Sequence, residues 1–292
     1  MTKTNAAQYA ALVESLHYKG PFAWRITNKV RQLIRGFREA DEYDWNTYNT
    51  HYRCQLEHTS RYYTLDLNQV DFKVIGNSIF LLGDCKPLNP THRCVWEAVY
   101  NLGPVYSVAE IGAGGGYLLA GVGKLLGKDV RLSAYDISGD QLRLLNELWP
   151  EFFGEITTGI LDITTSPIPE PQRPEVAFES TVLMHIQRRE AYHAALRNFL
   201  LSGTKFGVLM DNWNSHDYFS ALNLVIESTP ELTRRCRLYY YDSGSNIAVV
   251  VSTGGAELTP PYHPLSDGAI LKKYLTRPRR DVDSAKPSKG FA

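Results

Sequence analysis

The run Val108-Ala109-Glu110-Ile111-Gly112-Ala113-Gly114-Gly115-Gly116-Tyr117 decides how this sequence is read. Its first half is β-rich, and residues 105–111 read as a strand. Its second half opens a helix over 117–126, with Leu118, Leu119, Val122, Leu125 and Leu126 on one face. Glycines between a strand and a helix let backbone approach a ligand closely and take φ values that side chains resist. A nucleotide-type ligand can lie across the carboxyl end of such a strand. The spacing narrows the choice. A dinucleotide fingerprint wants glycine at the first, third and sixth positions, and the sixth position from Gly112 is Tyr117. A Walker-type loop would end in Gly-Lys-Ser/Thr, which is absent. Gly112, Gly114 and Gly116 instead fit GxGxG, with an acid, Glu110, two residues upstream.

A second carboxylate follows in Ser133-Ala134-Tyr135-Asp136-Ile137-Ser138, at the end of the next strand, 130–135. Asp136 lies twenty residues after Gly116, where an acid can accept hydrogen bonds from both ribose hydroxyls. Capping the following helix is its other reading, although Ser138 is the expected N-cap there. That helix carries Leu142, Leu145, Leu148 and Trp149. Further strands are expected over 155–160, 175–178 and 205–210, with a helix over 188–201 between the last two. Such alternation predicts a parallel sheet covered on both faces. Residues 237–241 and 247–251 differ: both are β-rich and only a hairpin-length loop separates them.

Upstream of residue 103 the character changes. Helical spacing covers 6–16 and 22–37, and Tyr, His and Arg crowd the stretch from Tyr43 to Tyr63. Ile79–Leu82 reads as a short strand, and Pro90 opens a helix running to residue 102. The aromatic-rich stretch is the candidate lid or acceptor pocket, its other reading being an amphipathic cap. Beyond Gly254 the composition turns to Pro, Ser, Lys and Arg, as in Arg277-Pro278-Arg279-Arg280, which reads as peripheral arm or disorder. The expected domains are a mainly helical N-terminal cap (1–103), a core (104–254) and a C-terminal arm (255–292).

Composition excludes several classes. With 292 residues, 43% hydrophobic and 21% charged, the chain can bury a sizeable core without disulfides, and neither wholesale disorder nor coiled coil fits. Lys+Arg and Asp+Glu are 31 each, so the phosphate-binding footprint is missing and no nucleic-acid partner is expected. Cys54, Cys85, Cys94 and Cys236 form no CxxC pair and read as reduced thiols. No apolar run is long enough to cross a bilayer, and the first twenty residues lack a signal-peptide core, so no membrane insertion and a cytoplasmic location are expected.

On these residues the sequence resembles the class I S-adenosylmethionine-dependent methyltransferases. Glu110-Ile-Gly112-Ala-Gly114-Gly-Gly116 is similar to their first motif, and Asp136 matches the acid that holds the ribose. Thr158-Gly159-Ile160-Leu161-Asp162-Ile163 looks like their third-strand segment, where Asp162 would contact the adenine amino group and Leu161 its ring. Glu175-Val-Ala-Phe-Glu179-Ser-Thr-Val-Leu-Met-His185-Ile resembles the fourth motif, with Glu175 where that motif often has Asp. The resemblance covers about residues 104–253, roughly half the chain. It implies an α/β, Rossmann-like, mostly parallel sheet of seven strands with an antiparallel terminal hairpin and helices on both faces. It implies S-adenosyl-L-methionine as cofactor, held by Glu110, Gly112, Ala113, Gly114, Gly116, Asp136, Ile137, Leu161, Asp162 and Glu179. More loosely, 86–93 and 208–213 resemble bacterial methyltransferases found with surface-polysaccharide genes.

Methyl transfer to a hydroxyl needs a base near the carboxyl ends of the fourth and fifth strands. His185 and His216 are the candidates, because imidazole titrates near working pH. Each has a plain alternative, as a residue bonding backbone or filling a loop. Asp211 and Asp217 raise a Mg²⁺ site as a lesser reading, and no metal is expected. The expected reaction is O-methylation of a small polar acceptor such as a sugar or glycoconjugate. N-methylation of a small molecule or peptide and a non-catalytic cofactor-binding subunit are the alternatives. A nicotinamide oxidoreductase meets Tyr117 as its obstacle. A homodimer is one expectation, although oligomeric state is not written in these residues.

Overall fold

The computed structural model describes residues 67, 71–82, 88–148, 156–186, 188–211, 213, 216–244 and 246–265. The helices expected over 6–16 and 22–37, the aromatic stretch 43–63 and the tail past 265 lie outside the described residues. A two-stranded antiparallel hairpin comes first, β1 (Asp71–Ile75) and β2 (Ser78–Leu82). Helix α1 (Pro90–Tyr100) follows, with the Asn89 side chain accepting from Thr91 N–H at 2.9 Å and Pro90 in its first turn. The alternating part runs β3 (Ser107–Ile111), α2 (Tyr117–Leu126), β4 (Arg131–Asp136), α3 (Gly139–Leu148), β5 (Thr157–Ile160), β6 (Val176–Ser180), α4 (Arg189–Ser202) and β7 (Phe206–Met210). Then come α5 (Tyr218–Ser228), α6 (Pro230–Thr233), β8 (Arg237–Asp242), β9 (Ile247–Ser252) and β10 (Tyr262–Pro264).

The main sheet has the order β10-β8-β9-β7-β6-β3-β4-β5. Strands β3 to β7 pair in parallel, and β9, β8 and β10 join antiparallel. The expected seven strands are therefore eight. The eighth, β10, comes from a segment whose Pro-rich composition read as peripheral arm. Tyr262 anchors it: the ring is 3% exposed and its hydroxyl donates to Ala98 O at 2.7 Å. A strand of three residues is too short for alternation to reveal.

Residues paired across neighbouring strands share a face of the sheet. Glu110, Phe178, Val208, Val250 and Tyr239 are linked by register and form one face. Helices α1 and α2 lie there, since Tyr241 donates to Glu97 Oε2 and Leu119 N–H donates to Glu110 Oε2. Gly207 sits on the other face, against Phe199 of α4. Helices on both faces leave β3, β7 and β9 buried along their whole length, which is why they read as near-continuous apolar runs. Helix α1 also packs on α2. Trp96 is fully buried in a notch that exists because residue 121 is glycine, and its Nε1–H donates to Leu118 O at 2.9 Å. Among the described residues no helix is long and apolar enough to cross a membrane.

The chain runs outward from β3 to β4 and β5, then returns to β6 on the other side of β3. Strand order reverses there, which in open α/β sheets marks the crevice outside the carboxyl ends of the strands where ligands bind.

Candidate functional site

The glycine loop lies at that crevice. Gly112, Gly114 and Gly116 all have left-handed backbone, at φ 70°, 53° and 72°. Space forbids side chains as firmly as conformation does at two of them. A Cβ on Gly112 would overlap Val182, and one on Gly116 would overlap Leu145. Gly112 and Ala113 donate to Tyr135 O at 2.7 and 3.1 Å, so the loop folds over the end of β4. Ala113 is buried, at 6% exposure.

Asp136 closes the arrangement. Its Oδ2 accepts from Gly114 N–H at 2.9 Å and its Oδ1 from Ser138 N–H at 2.8 Å. A carboxylate offers about four acceptor positions, so the two oxygens retain capacity for a diol. Burial pushes its pKa above the ordinary value, against the backbone bonds that pull it down. Ser138 also receives Gln141 N–H on its hydroxyl at 3.4 Å, the N-cap contact expected for α3.

Apolar surface flanks the polar loop. Ile137 is 46% exposed at the tip of β4, and Ile160 is 73% exposed at the tip of β5. Leu161 is buried and donates its N–H to Asp136 O at 2.9 Å. The Oδ1 of Asp162 takes Thr164 N–H and hydroxyl at 2.9 and 2.7 Å, which fixes its side chain at the start of a turn. Sequence reasoning placed Ile160 in the motif without giving it a role. Its exposure at a strand tip is what brings it out.

Glu110 and Glu179 lie beneath the crevice. Glu110 Oε2 accepts from Leu119 N–H at 3.1 Å, tying β3 to the first turn of α2. Burial pushes its pKa well up, and the Asp136 charge adds to that. Glu179, 1% exposed, accepts Val182 N–H on Oε2 at 3.1 Å, and burial followed by the Asp211 charge raises its pKa strongly.

The turn after β6 carries the first candidate base. Thr181 has φ 61°, the single non-glycine residue with positive φ among those described. A β-branched residue there is an outlier, and such strain gathers at functional sites. The short 3-10 turn Leu183–His185 follows and leaves His185 exposed on the rim. Partial desolvation lowers its pKa below the ordinary histidine value, so the neutral imidazole predominates at pH 7.

His216 is differently employed. Its Nε2 lies 3.1 Å from Leu183 O and must donate to it, and its ring stacks on Tyr192 at a centroid distance of 4.1 Å. Trp213 and Tyr218 complete this aromatic cluster. The structure thus joins the two histidines through one turn, His216 holding the turn that carries His185. Asp211 accepts Met184 N–H at 3.0 Å, whereas Asp217 caps α5 through Ser220. Among the described residues no three His, Cys, Asp or Glu could together hold a metal ion.

No protein-family model and no curated protein matches the chain. Solved structures do. The S-adenosylmethionine-dependent methyltransferase SibL in its apo form is 12% identical over 55% of this chain and 53% of its own, with a TM-score of 0.42. This chain thus spans about half of SibL's length. The N-methyltransferase NodS from Bradyrhizobium japonicum WM9 is 12% identical over 55% of this chain and 83% of its own, at 0.41. An O-methyltransferase family protein from Burkholderia thailandensis is 9% identical over 80% of this chain and 71% of its own, at 0.50. This last likeness establishes the fold: the chain has the Rossmann-like fold of that methyltransferase, as the glycine loop led one to expect.

Proposed function

We propose that this chain is an S-adenosylmethionine-dependent methyltransferase acting on an oxygen of a small polar acceptor, such as a sugar or glycoconjugate. The observation that carries the reading is the bond between Gly114 and Asp136. It sets a left-handed glycine loop and a carboxylate side by side at the reversal point of the sheet. The looser resemblance of 86–93 and 208–213 to polysaccharide-associated methyltransferases supports the acceptor class.

The residues present fit the cofactor. Asp136 has acceptor capacity for the ribose diol, and the exposed Ile137 and Ile160 offer apolar surface for a planar purine. Gly112, Gly114 and Gly116 bring bare backbone to the amino-acid end. When bound, the sulfonium supplies an electrophilic methyl carbon. The protein contributes alignment, exclusion of water and a base. His185, neutral at pH 7, takes the proton from the acceptor hydroxyl as that oxygen attacks.

Release of S-adenosylhomocysteine across a panel of sugars, glycoconjugates, amines and peptides tests the reading. Turnover confined to hydroxyl acceptors agrees with it. Turnover confined to amines overturns the O-transfer assignment, and cofactor binding without any turnover favours a binding subunit.

A further inference from the structure

The turn at residues 181–186 is held in a conformation its sequence does not favour. Thr181 would leave φ 61° if nothing kept it there. Four bonds do. Thr181 N–H donates to Met210 O at 2.9 Å, and Val182 N–H to Glu179 Oε2 at 3.1 Å. Met184 N–H donates to Asp211 Oδ2 at 3.0 Å, and His216 Nε2 to Leu183 O at 3.1 Å. Two of the four anchors are carboxyl groups, on residues 1% and 3% exposed.

Burying carboxyl groups is costly, and a hydroxyl or amide would satisfy the same N–H groups at less expense. Among the described residues no ion pair is made to Glu179. The charged and titratable groups around the pair are Asp211 from the end of β7, Glu110 from β3, Tyr192 from α4 and Tyr218 from α5. Asp217 reaches Tyr192, and His216 stacks on it. Glu179 Oε1 has no hydrogen-bond partner among the described residues. A carboxyl so placed keeps its proton, and works as a neutral acceptor of fixed length rather than as a charge.

We propose that Glu179 and Asp211 are positioning residues for methyl transfer: from beneath, their carboxyl groups lock the strained turn that presents His185 at the rim of the crevice. The inference rests on the methyltransferase reading and adds the two residues through which His185 acts. Length of the side chain is what matters at Glu179. Glutamine reproduces the acceptor, whereas aspartate keeps the acid but withdraws it by one methylene.

Residue-resolved amide hydrogen exchange on the full chain tests this, together with the His185 imidazole NMR resonance and calorimetric binding of S-adenosylhomocysteine. In Glu179→Gln, exchange at Val182 and Met184 stays within about threefold of wild type and the His185 resonance is unmoved. In Glu179→Asp, exchange there rises at least about tenfold and the His185 resonance shifts, while distant core amides keep their protection. Adding Thr181→Gly to Glu179→Asp brings protection back, because glycine stays at φ 61° unforced. Should Glu179→Asp not fold, Asp211→Asn against Asp211→Ser makes the same comparison at the other anchor. Equal exchange in the Gln and Asp variants, or an unmoved His185 resonance in Glu179→Asp, overturns the proposal. A wild type that ignores S-adenosylhomocysteine overturns the methyltransferase reading instead, and the exchange data still decide the lock.

Discussion

Val182 fills the space that a side chain at Gly112 would need, so the glycine loop after β3 and the turn after β6 meet with nothing between them. The glycine loop and the candidate base are thereby parts of one wall. Movement in either is felt by the other.

Gly112→Ala puts a methyl group into Val182 and forces alanine to φ 70°. Left-handed strain and overpacking together lower unfolding free energy by about 2 kcal/mol or more. Urea denaturation measures that, and calorimetry should show S-adenosylhomocysteine affinity falling with it. A variant as stable and as tightly binding as wild type contradicts the contact.

His185→Gln removes the proton acceptor while keeping a polar side chain of similar reach. Methyl transfer to a hydroxyl acceptor falls about 100-fold or more, and cofactor affinity stays within about twofold. Desolvation lowers the imidazole pKa, so the acid limb of the wild-type rate profile lies below the ordinary histidine value of 6.5. Steady-state rates against pH check both statements, and a limb above 6.5 contradicts the second.

Glu179 carries its own pH signature. Its folded pKa is raised, first by burial and then by Asp211. The native chain therefore binds a proton that the unfolded chain releases near 4.5. The stability this confers is complete below 4.5 and is lost as pH climbs toward the raised folded value. Glu179→Gln does not titrate, so its melting temperature gains on wild type as pH rises from about 4.5 toward that raised value. Parallel curves would mean that Glu179 is ionised in the native protein.

Tyr262 tests whether β10 belongs to the sheet. Tyr262→Phe loses only the hydroxyl bond to Ala98 O and costs about 1 kcal/mol. Tyr262→Ala also empties a buried aromatic site and costs about 3 kcal/mol or more. Two denaturation curves suffice, and no measurable loss in either variant would return β10 to the status of a loose arm.

Much of the fold was legible because parallel strands buried on both faces are apolar along their length, and Phe206–Met210 and Ile247–Ser252 show it. The glycine loop was legible because no other residue tolerates Gly112 or Gly116 there. Asp136 stood out at the one strand end where an acid meets that loop. Tyr262 escaped, since a three-residue strand among prolines has no period to read. Helix α5 was masked by the polar loop ahead of it, although Asp217 is its N-cap. Thr181 could not have been found: nothing in a threonine announces positive φ, which here is imposed by bonds to Met210 and to the next strand's Asp211. Likewise Glu179 stands in a recognisable motif, while its place under the turn depends on Val182 and Asp211 meeting it in three dimensions.

The central claim is the cofactor, and isothermal titration of the full chain with S-adenosylhomocysteine, NADH and NADPH tests it most directly. The account predicts binding of S-adenosylhomocysteine alone. Asp136→Ala should weaken that binding about tenfold or more, the cost of a lost charge-assisted hydrogen bond. Binding of a nicotinamide and not of S-adenosylhomocysteine would contradict the account and return the glycine loop to a dinucleotide.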